Sequence, residues 1–338
     1  MNFLITGLGS MGKRRIRCLK ALGYSSIFGF DLREDRRQEA TEKHGIVCFG
    51  EIEQALAASR ADALIISVPP DAHHIYMRLA LARKIPFFVE ASVLDTGLDE
   101  IKAEVRRVGV VAAPSATLMF HPAIQDISRI LHSGALGKVS SILFHSGQYL
   151  PDWHTYERVS DYYVSNPATG GAREIVPFEL TWFTRLFGFP QSVSGQVRKT
   201  INIVGAERID DTYNVLMDYG SFLAVMTVDV VSRCATRRLL INGDRRQLVW
   251  DWGRQCVELY DPEKGEWETR PYKMSGAAAG YNANIGENMY IEELRAFIDA
   301  VAGGEPFVNS LESDHRVLRL LYEIERSSKL STHVASQA

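Results

Sequence analysis

The sequence predicts an α/β protein of two domains. A doubly wound parallel sheet covers residues 1–120, and an α+β domain with an open-faced, mostly antiparallel sheet covers 121–338. Three observations carry this. Short apolar runs alternate with helical patterns through the first third of the chain. After about residue 120 that rhythm stops, and strands follow one another across short turns such as YGS and NGD. Two helical segments then close the chain. At 338 residues, it is long enough for about two domains and can bury ~75 % of its unfolded surface.

Each element has its own justification. MNFLITG is a short apolar strand, and SMGKRRIRCLKALG sets Ile16, Leu19 and Leu22 on one helical side. SSIFGFD and GIVCFG are the next strands, and EIEQALAAS is helical. ADALIISVPP is a buried strand, HHIYMRLALARK a helix and IPFFVEA a strand. LDEIKAEVRRVG is a helix and VVAAPSA a strand. Strands that are apolar throughout and alternate with helices indicate a parallel sheet covered on both faces. Beyond them, HPAIQDISRILHSGALG is a helix closed by glycine, and KVSSILFHSGQY opens the new layout. A polar, aromatic loop follows, LPDWHTYERVSDYYVSNPATGG, and then the helical stretch REIVPFELTWFTRLFG. SVSGQVRKT, DTYNVLMDY, SFLAVMTVDVVS, RRLLING, RQLVWDW and CVELYD are strands of an antiparallel sheet. GENMYIEELRAFIDAVAGG and LESDHRVLRLLYEIERSS are the closing helices.

Composition narrows the function classes. The 38 basic and 41 acidic residues nearly balance, so no field draws the whole protein to nucleic acid or to a membrane. Cys18, Cys48, Cys234 and Cys256 are scattered without a CxxC pair, which suits a reducing compartment and no metal site. No basic leader opens the chain, and no apolar run reaches membrane-spanning length. A cytoplasmic protein is expected.

The first turn reads GLGSMG, with Gly7, Gly9 and Gly12 in G-x-G-x-x-G spacing between a strand and a helix. In that setting Gly7 makes the tight turn, Gly9 admits a pyrophosphate, and Gly12 lets helix and strand pack closely. The helix start, with Ser10 and Met11, offers its N–H groups to the phosphates. Asp31 ends the second strand where it can accept hydrogen bonds from an adenosine ribose, with Leu32 and Arg33 beside it. A carboxylate there repels a 2′-phosphate by ~1–4 kcal/mol at about 4 Å. NAD is therefore expected in preference to NADP, although Arg33, Arg36 and Arg37 could offset the repulsion. These features predict a Rossmann dinucleotide-binding domain.

Taken in order, MNFLITGLGSMGKRRIRCL, SVPPDAHH, FVEAS, TGGAREIVPFEL and GENMYIEELRAFIDAV resemble the Gfo/Idh/MocA oxidoreductase family over nearly the whole length. The resemblance implies a nicotinamide cofactor and hydride transfer at a carbon of a sugar, cyclitol or related molecule. It places Ser67, Pro69, His73, Glu90 and Ala91 at the cofactor. It also exposes a departure. Where the family has the Lys of Glu-Lys-Pro this chain has Ala91, and where the family has a His it has Phe178. Thr181 stands for the Asp three residues after that His, and Met119 for a common Arg. Glu90 and the acid Glu174 are retained.

Losing both usual proton carriers demands a substitute or leaves a poor enzyme, because a general acid or base contributes ~10²–10⁴-fold. The catalytic candidates are His154, His121, Glu174 and Tyr149, with Asp152, Tyr162 and Glu179 also polar and nearby in sequence. Met119, Trp153, Tyr163, Arg173 and Phe178 are the substrate-binding candidates. An aromatic loop interspersed with Asp, Arg and His suits a polyhydroxylated ring. VEAS and GQYLPDWH are similar to members acting in surface-polysaccharide or flagellin-sugar pathways, which implies a sugar or nucleotide sugar. Other readings stay open. They are a redox-neutral epimerase, dehydratase or lyase that uses bound NAD transiently, an imine or enone reductase, and a non-catalytic NAD-binding regulator.

SFLAVMTVDVVS is apolar on both sides, with Leu223, Val225 and Val231 opposite Phe222, Ala224, Met226, Val228 and Val230. So large an apolar face is unusual in a monomer. A homodimer or homotetramer through the C-terminal sheet is expected, as the resemblance also implies. The alternative cover is the segment RPYKMSGAAAGYN.

Overall fold

The computed structural model describes residues 1–154, 157–274, 276 and 286–330. The chain divides into two compact units: Met1–Phe120 with Glu287–Arg316, and His121–Gly286 with the chain from Val317 onward.

In the first unit six parallel strands lie in the order β3-β2-β1-β4-β5-β6. They are β1 (Phe3–Thr6), β2 (Ile27–Phe30), β3 (Val47–Phe49), β4 (Ala63–Ile66), β5 (Phe87–Val89) and β6 (Ala112–Pro114). All four residues of β1 and all four of β4 are buried, as expected for strands covered on both faces. β1 pairs with β2 on one side and β4 on the other, so the strand order reverses there. A crevice at that point, outside the carboxyl ends of the strands, is where such sheets bind ligands. Helices α1 (Ser10–Ala21), α2 (Glu34–His44), α3 (Ile52–Ser59), α4 (His73–Ala82) and α5 (Leu98–Val108) connect the strands. The alternation of apolar runs did not mark α2, because Ala40 is the one residue it buries.

Glu287–Arg316 falls with this unit, a departure from the uninterrupted 121–338 domain expected. The physical reason is the apolar stripe of the helix Asn288–Val301, which buries Met289, Tyr290, Leu294, Phe297 and Ile298. Its Phe297 ring lies 5.9 Å from that of Phe88 on β5.

The second unit holds an eight-stranded sheet in the order β14-β13-β12-β11-β7-β10-β9-β8. The strands are β7 (Val139–Gly147), β8 (Ser192–Arg198), β9 (Thr212–Asp218), β10 (Leu223–Asp229), β11 (Thr236–Gly243), β12 (Gln247–Asp251), β13 (Cys256–Asp261) and β14 (Glu266–Pro271). All pairings are antiparallel except that of β7 with β10. The polar edge strand β14 was not expected. Helices α6 (Pro122–His132) and α7 (Ala172–Phe187) belong to this unit. We number Asn288–Val301 as α8 and Leu311–Leu330 as α9.

The core of this unit gathers fully buried Trp182, Phe183, Trp250, Ala224, Met226 and Val228. On the opposite side of the sheet Leu143, Leu216, Leu223 and Val225 are 37–50 % exposed. Val225 stands directly between Leu143 and Leu216 in the register, so these side chains form one patch. Residues 275 and 277–282 of the alternative covering segment lie outside the described residues.

Candidate active site

The glycine turn is built by close packing. Gly7 has φ +87°, and a Cβ there would lie 2.5 Å from the carbonyl oxygen of Ser67; a Cβ on Gly12 would overlap the carbonyl of Gly7. Gly9 is different, since its missing side chain faces only the Arg36 guanidinium at 3.5 Å. Helix α1 starts there with no side-chain cap and no acid in its first turn, an arrangement suited to a pyrophosphate. Asp31 does double duty. It accepts hydrogen bonds from the Leu8 N–H at 2.7 Å and the Arg33 N–H at 2.8 Å, so it fixes the glycine turn and stands at the end of β2 where a ribose would be met. Leu32 is exposed. Arg33 pairs with Asp35 at 2.6 Å, and Arg37 donates to the carbonyls of Asp31 and Leu32. Arg36 lies 3.8 Å from Asp31. Gly7, Gly9 and Gly12 thus form a cradle that fits a dinucleotide, with Ser10 and Met11 at its helical side.

At the ends of β4 and β5 stands a buried charge network that the sequence reading missed. Glu90 accepts two hydrogen bonds from Arg15 of α1, at 2.7 and 2.8 Å, and a third from Ser67 Oγ at 3.0 Å. The remaining arm of Arg15 reaches Glu293 of α8 at 2.9 Å. Glu293 also accepts from Ser115 Oγ, the Ala116 N–H and Thr117 Oγ1. Burial alone would lower the Arg15 pKa, and the neighbouring Glu90 and Glu293 outweigh it and hold the guanidinium above its usual range. A signal existed: Glu293 interrupts the apolar stripe of α8.

His73 is buried, and Nε2 donates to the Val68 carbonyl at 3.0 Å. Burial lowers its pKa to about 4, so a neutral ring braces the loop after β4 instead of offering an exposed contact. Pro69 begins that loop's short 3₁₀ turn, and Ala91 is half-buried just past Glu90.

In the second unit, Glu174 lies in the first turn of α7. Its Oε1 accepts from the Tyr163 hydroxyl at 2.6 Å, while Oε2 is buried without a hydrogen-bond partner among the described residues. Burial raises its pKa to about 7, against the opposing effect of the Tyr163 hydrogen bond. Phe178, one helical turn on, shares that side of α7. Such a carboxyl exchanges protons near neutrality.

The other catalytic candidates are placed differently. His121 is fully buried and caps α6, with Nδ1 accepting from the Ala123 N–H at 3.2 Å. Its ring stacks on Trp252 at 4.4 Å. Burial, with Arg237 nearby, lowers its pKa to about 3. His121 thus caps α6 with a ring held neutral by its burial. His154 pairs with Glu157 at 2.8 Å and stacks on Tyr162 at 4.8 Å. Tyr149 carries the Arg233 guanidinium over its ring at 3.9 Å. Arg173 binds Glu325 of α9 at 2.6 Å and the Ala168 carbonyl, so it ties α7 to α9. Met119 is a half-buried residue of the first unit.

A cleft of about 470 Å³, open mouth included, lies within the second unit, lined by Trp153, Trp252, Arg237, Thr236, Gln148 and Ile175 among others. Of the substrate candidates, Trp153 lines it. Arg237 and Trp252 escaped the sequence reading, since an arginine and a tryptophan on separate strands share no local pattern. Glu179 is fully buried behind them and pairs with Arg237 at 2.6 Å.

Among the described residues no helix is long and apolar enough to cross a membrane. Residues 1–112 match the model of an oxidoreductase family with an NAD-binding Rossmann fold, and residues 124–249 match the GFO/IDH/MocA C-terminal domain. The chain is 21 % identical over 342 residues to a myo-inositol 2-dehydrogenase of Thermotoga maritima, spanning 97 % of this chain and 96 % of that one. Two solved structures share the fold. Levoglucosan dehydrogenase, in complex with NADH and levoglucosan, aligns with a TM-score of 0.82 at 13 % identity, covering 97 % of each chain. The UDP-N-acetylglucosamine 3-dehydrogenase of Acidithiobacillus ferrooxidans aligns at 0.76 and 17 % identity, again over 97 % of each.

Proposed function

The chain belongs to the Gfo/Idh/MocA family of oxidoreductases, and from that premise we propose that it oxidises or reduces a sugar, nucleotide sugar or related polyhydroxylated molecule, with Glu174 as the proton carrier. It has an NAD-binding Rossmann domain. The observation that carries the proposal is the Glu174 carboxyl, raised to about 7 with one oxygen unpartnered among the described residues.

A dinucleotide bound at the glycine cradle would supply its nicotinamide as hydride acceptor or donor. Gly9 and the start of α1 would hold its pyrophosphate, and Asp31 its ribose. The carboxylate at Asp31, already fixed by Leu8 and Arg33, favours NAD over NADP. Arg15 fixes Glu90 at the end of β5, where it would border the nicotinamide. When a hydroxyl is oxidised, Glu174 Oε2 takes its proton; in reduction it returns that proton. Tyr163 orients the carboxyl through Oε1. This assignment accounts for the loss of the usual pair at Ala91 and Phe178. Phe178, four residues on along α7, brings no charge or proton of its own, whereas a histidine there would add a second titrating group on the same side of the helix.

A role in surface-glycan biosynthesis is part of this reading, supported by the GQYLPDWH stretch. The apolar patch of Leu143, Leu216, Leu223 and Val225 supports assembly as a dimer or tetramer through the sheet. The test of function is a panel of sugars, cyclitols and nucleotide sugars with NAD, followed by absorbance of NADH. Turnover of a member that falls by at least ~10²-fold in Glu174→Gln supports the proposal. Full activity in that variant removes Glu174 as the carrier.

A further inference from the structure

The cleft of the second unit is unbalanced in its hydrogen-bonding groups. Its carboxylates are already satisfied. Glu179 Oε1 accepts from Ser146 Oγ and from Arg237 Nε and Nη2, and Oε2 accepts from the Trp182 indole. Asp229 accepts from the Val231 and Ser232 N–H groups, from Ser232 Oγ and from His145 Nε2, the last at 2.7 Å.

The donors are open. The Trp153 indole nitrogen is buried and has no partner among the described residues. Arg237 uses Nε and Nη2 on Glu179, and among the described residues Nη1 has no hydrogen-bond partner. Its guanidinium stacks over Trp252, 4.7 Å from the ring centroid. A cation held by a buried carboxylate on one edge and an indole face on another is fixed in orientation.

A hydroxyl could also accept from these donors, passing its own hydrogen to an oxygen such as that of Gln148 in the lining, but it brings no charge to the guanidinium, and charge-assisted hydrogen bonds are the stronger ones. A carboxylate or phosphate at neutral pH only accepts. We propose that this cleft binds the oxyanion of a charged sugar, either a sugar carboxylate or a sugar phosphate, through Arg237 and the Trp153 N–H. This rests on the reading of the chain as a sugar oxidoreductase and narrows its substrate class to acidic sugars.

The test measures binding without turnover. Saturation-transfer NMR on the full chain compares glucuronate, glucose 1-phosphate and glucose as probes. Either charged probe is expected to bind at least ~10-fold more tightly than glucose. The tighter of the two tells carboxylate from phosphate. Trp153→Phe, which removes the N–H and keeps an aromatic ring, is expected to weaken that binding ~5-fold. Arg237→Lys keeps a charge for Glu179 and is expected to weaken it at least ~10-fold in a protein with unchanged circular dichroism. Glucose binding as tightly as the charged probes, no binding by any probe, or charged-probe affinity unmoved in both folded variants overturns the inference. The oxidoreductase reading fails separately, by absence of NADH-linked turnover across the neutral and charged panel.

Discussion

Arg15 and Glu90, 75 residues apart in the chain, are joined by two parallel hydrogen bonds of 2.7 and 2.8 Å. The carboxylate at the end of β5 thus has its base after all, supplied by the helix that follows the glycine turn. The pair joins helix α1, which opens at the glycine turn, to the end of β5. With Arg15 removed, Glu90 and Glu293 are left without their shared cation. Arg15→Met is expected to lower stability by ~3–5 kcal/mol in urea unfolding, because a buried charge loses its partner. A change below ~1 kcal/mol would show that the network contributes little.

The pH dependence follows from Glu174. With its pKa raised to about 7, oxidation needs the carboxylate, so kcat/KM in that direction rises with pH and levels above about 7. Reduction needs the acid and shows the mirror image. Glu174→Gln is expected to remove this limb from both profiles. The sign of the stability effect is also fixed. A carboxyl raised on folding contributes stability fully present below its unfolded value, near 4.5, and lost as pH rises through about 7. Glu174→Gln should flatten the melting temperature across that window, and an unchanged slope would refute the assignment.

Restoring the family pair by Ala91→Lys with Phe178→His is expected not to raise activity. The new imidazole would replace an apolar surface beside Glu174. A large gain in turnover would instead identify the chain as a decayed dehydrogenase of the ordinary kind.

Gly9→Trp is expected to abolish NAD(H) binding in calorimetry while leaving the melting temperature within a few degrees. The position faces the Arg36 side chain and no backbone, so the protein can accommodate the ring where the cofactor cannot. Unchanged affinity would remove the cradle as the cofactor site.

Val225→Asp is expected to dissociate an assembly formed through the sheet. Light scattering at micromolar concentration should give a multiple of 37.9 kDa for the native chain and a monomer for the variant. A monomeric native chain would refute the assembly.

Local pattern made much of this legible. The glycine turn, the uniformly apolar strands and the two apolar sides of β10 each report on neighbours close in sequence, and each has its counterpart in the fold. What escaped depends on distant residues. Arg15 reads as one of several surface bases on α1 until Glu90 and Glu293 are placed beside it. His121 reads as a free imidazole until Trp252 and Tyr272 enclose it. Glu174 was legible as an acid, but its elevated pKa comes from burial, which no spacing in the sequence records.

The parallel pairing of β7 with β10 bears on how the second unit forms. β7 is a central strand, yet Ser141 pairs with Leu223 on one side and Asn242 on the other. During synthesis at ~5–20 residues per second, β7 waits about 4–16 s for its first partner strand. Strands that must find partners so far along the chain fold slowly. Over that interval the nascent chain carries an apolar strand with both edges open, the form most prone to pair with another chain. Yield on expression should therefore respond to growth temperature and to chaperone supply more strongly than the finished protein's stability would suggest.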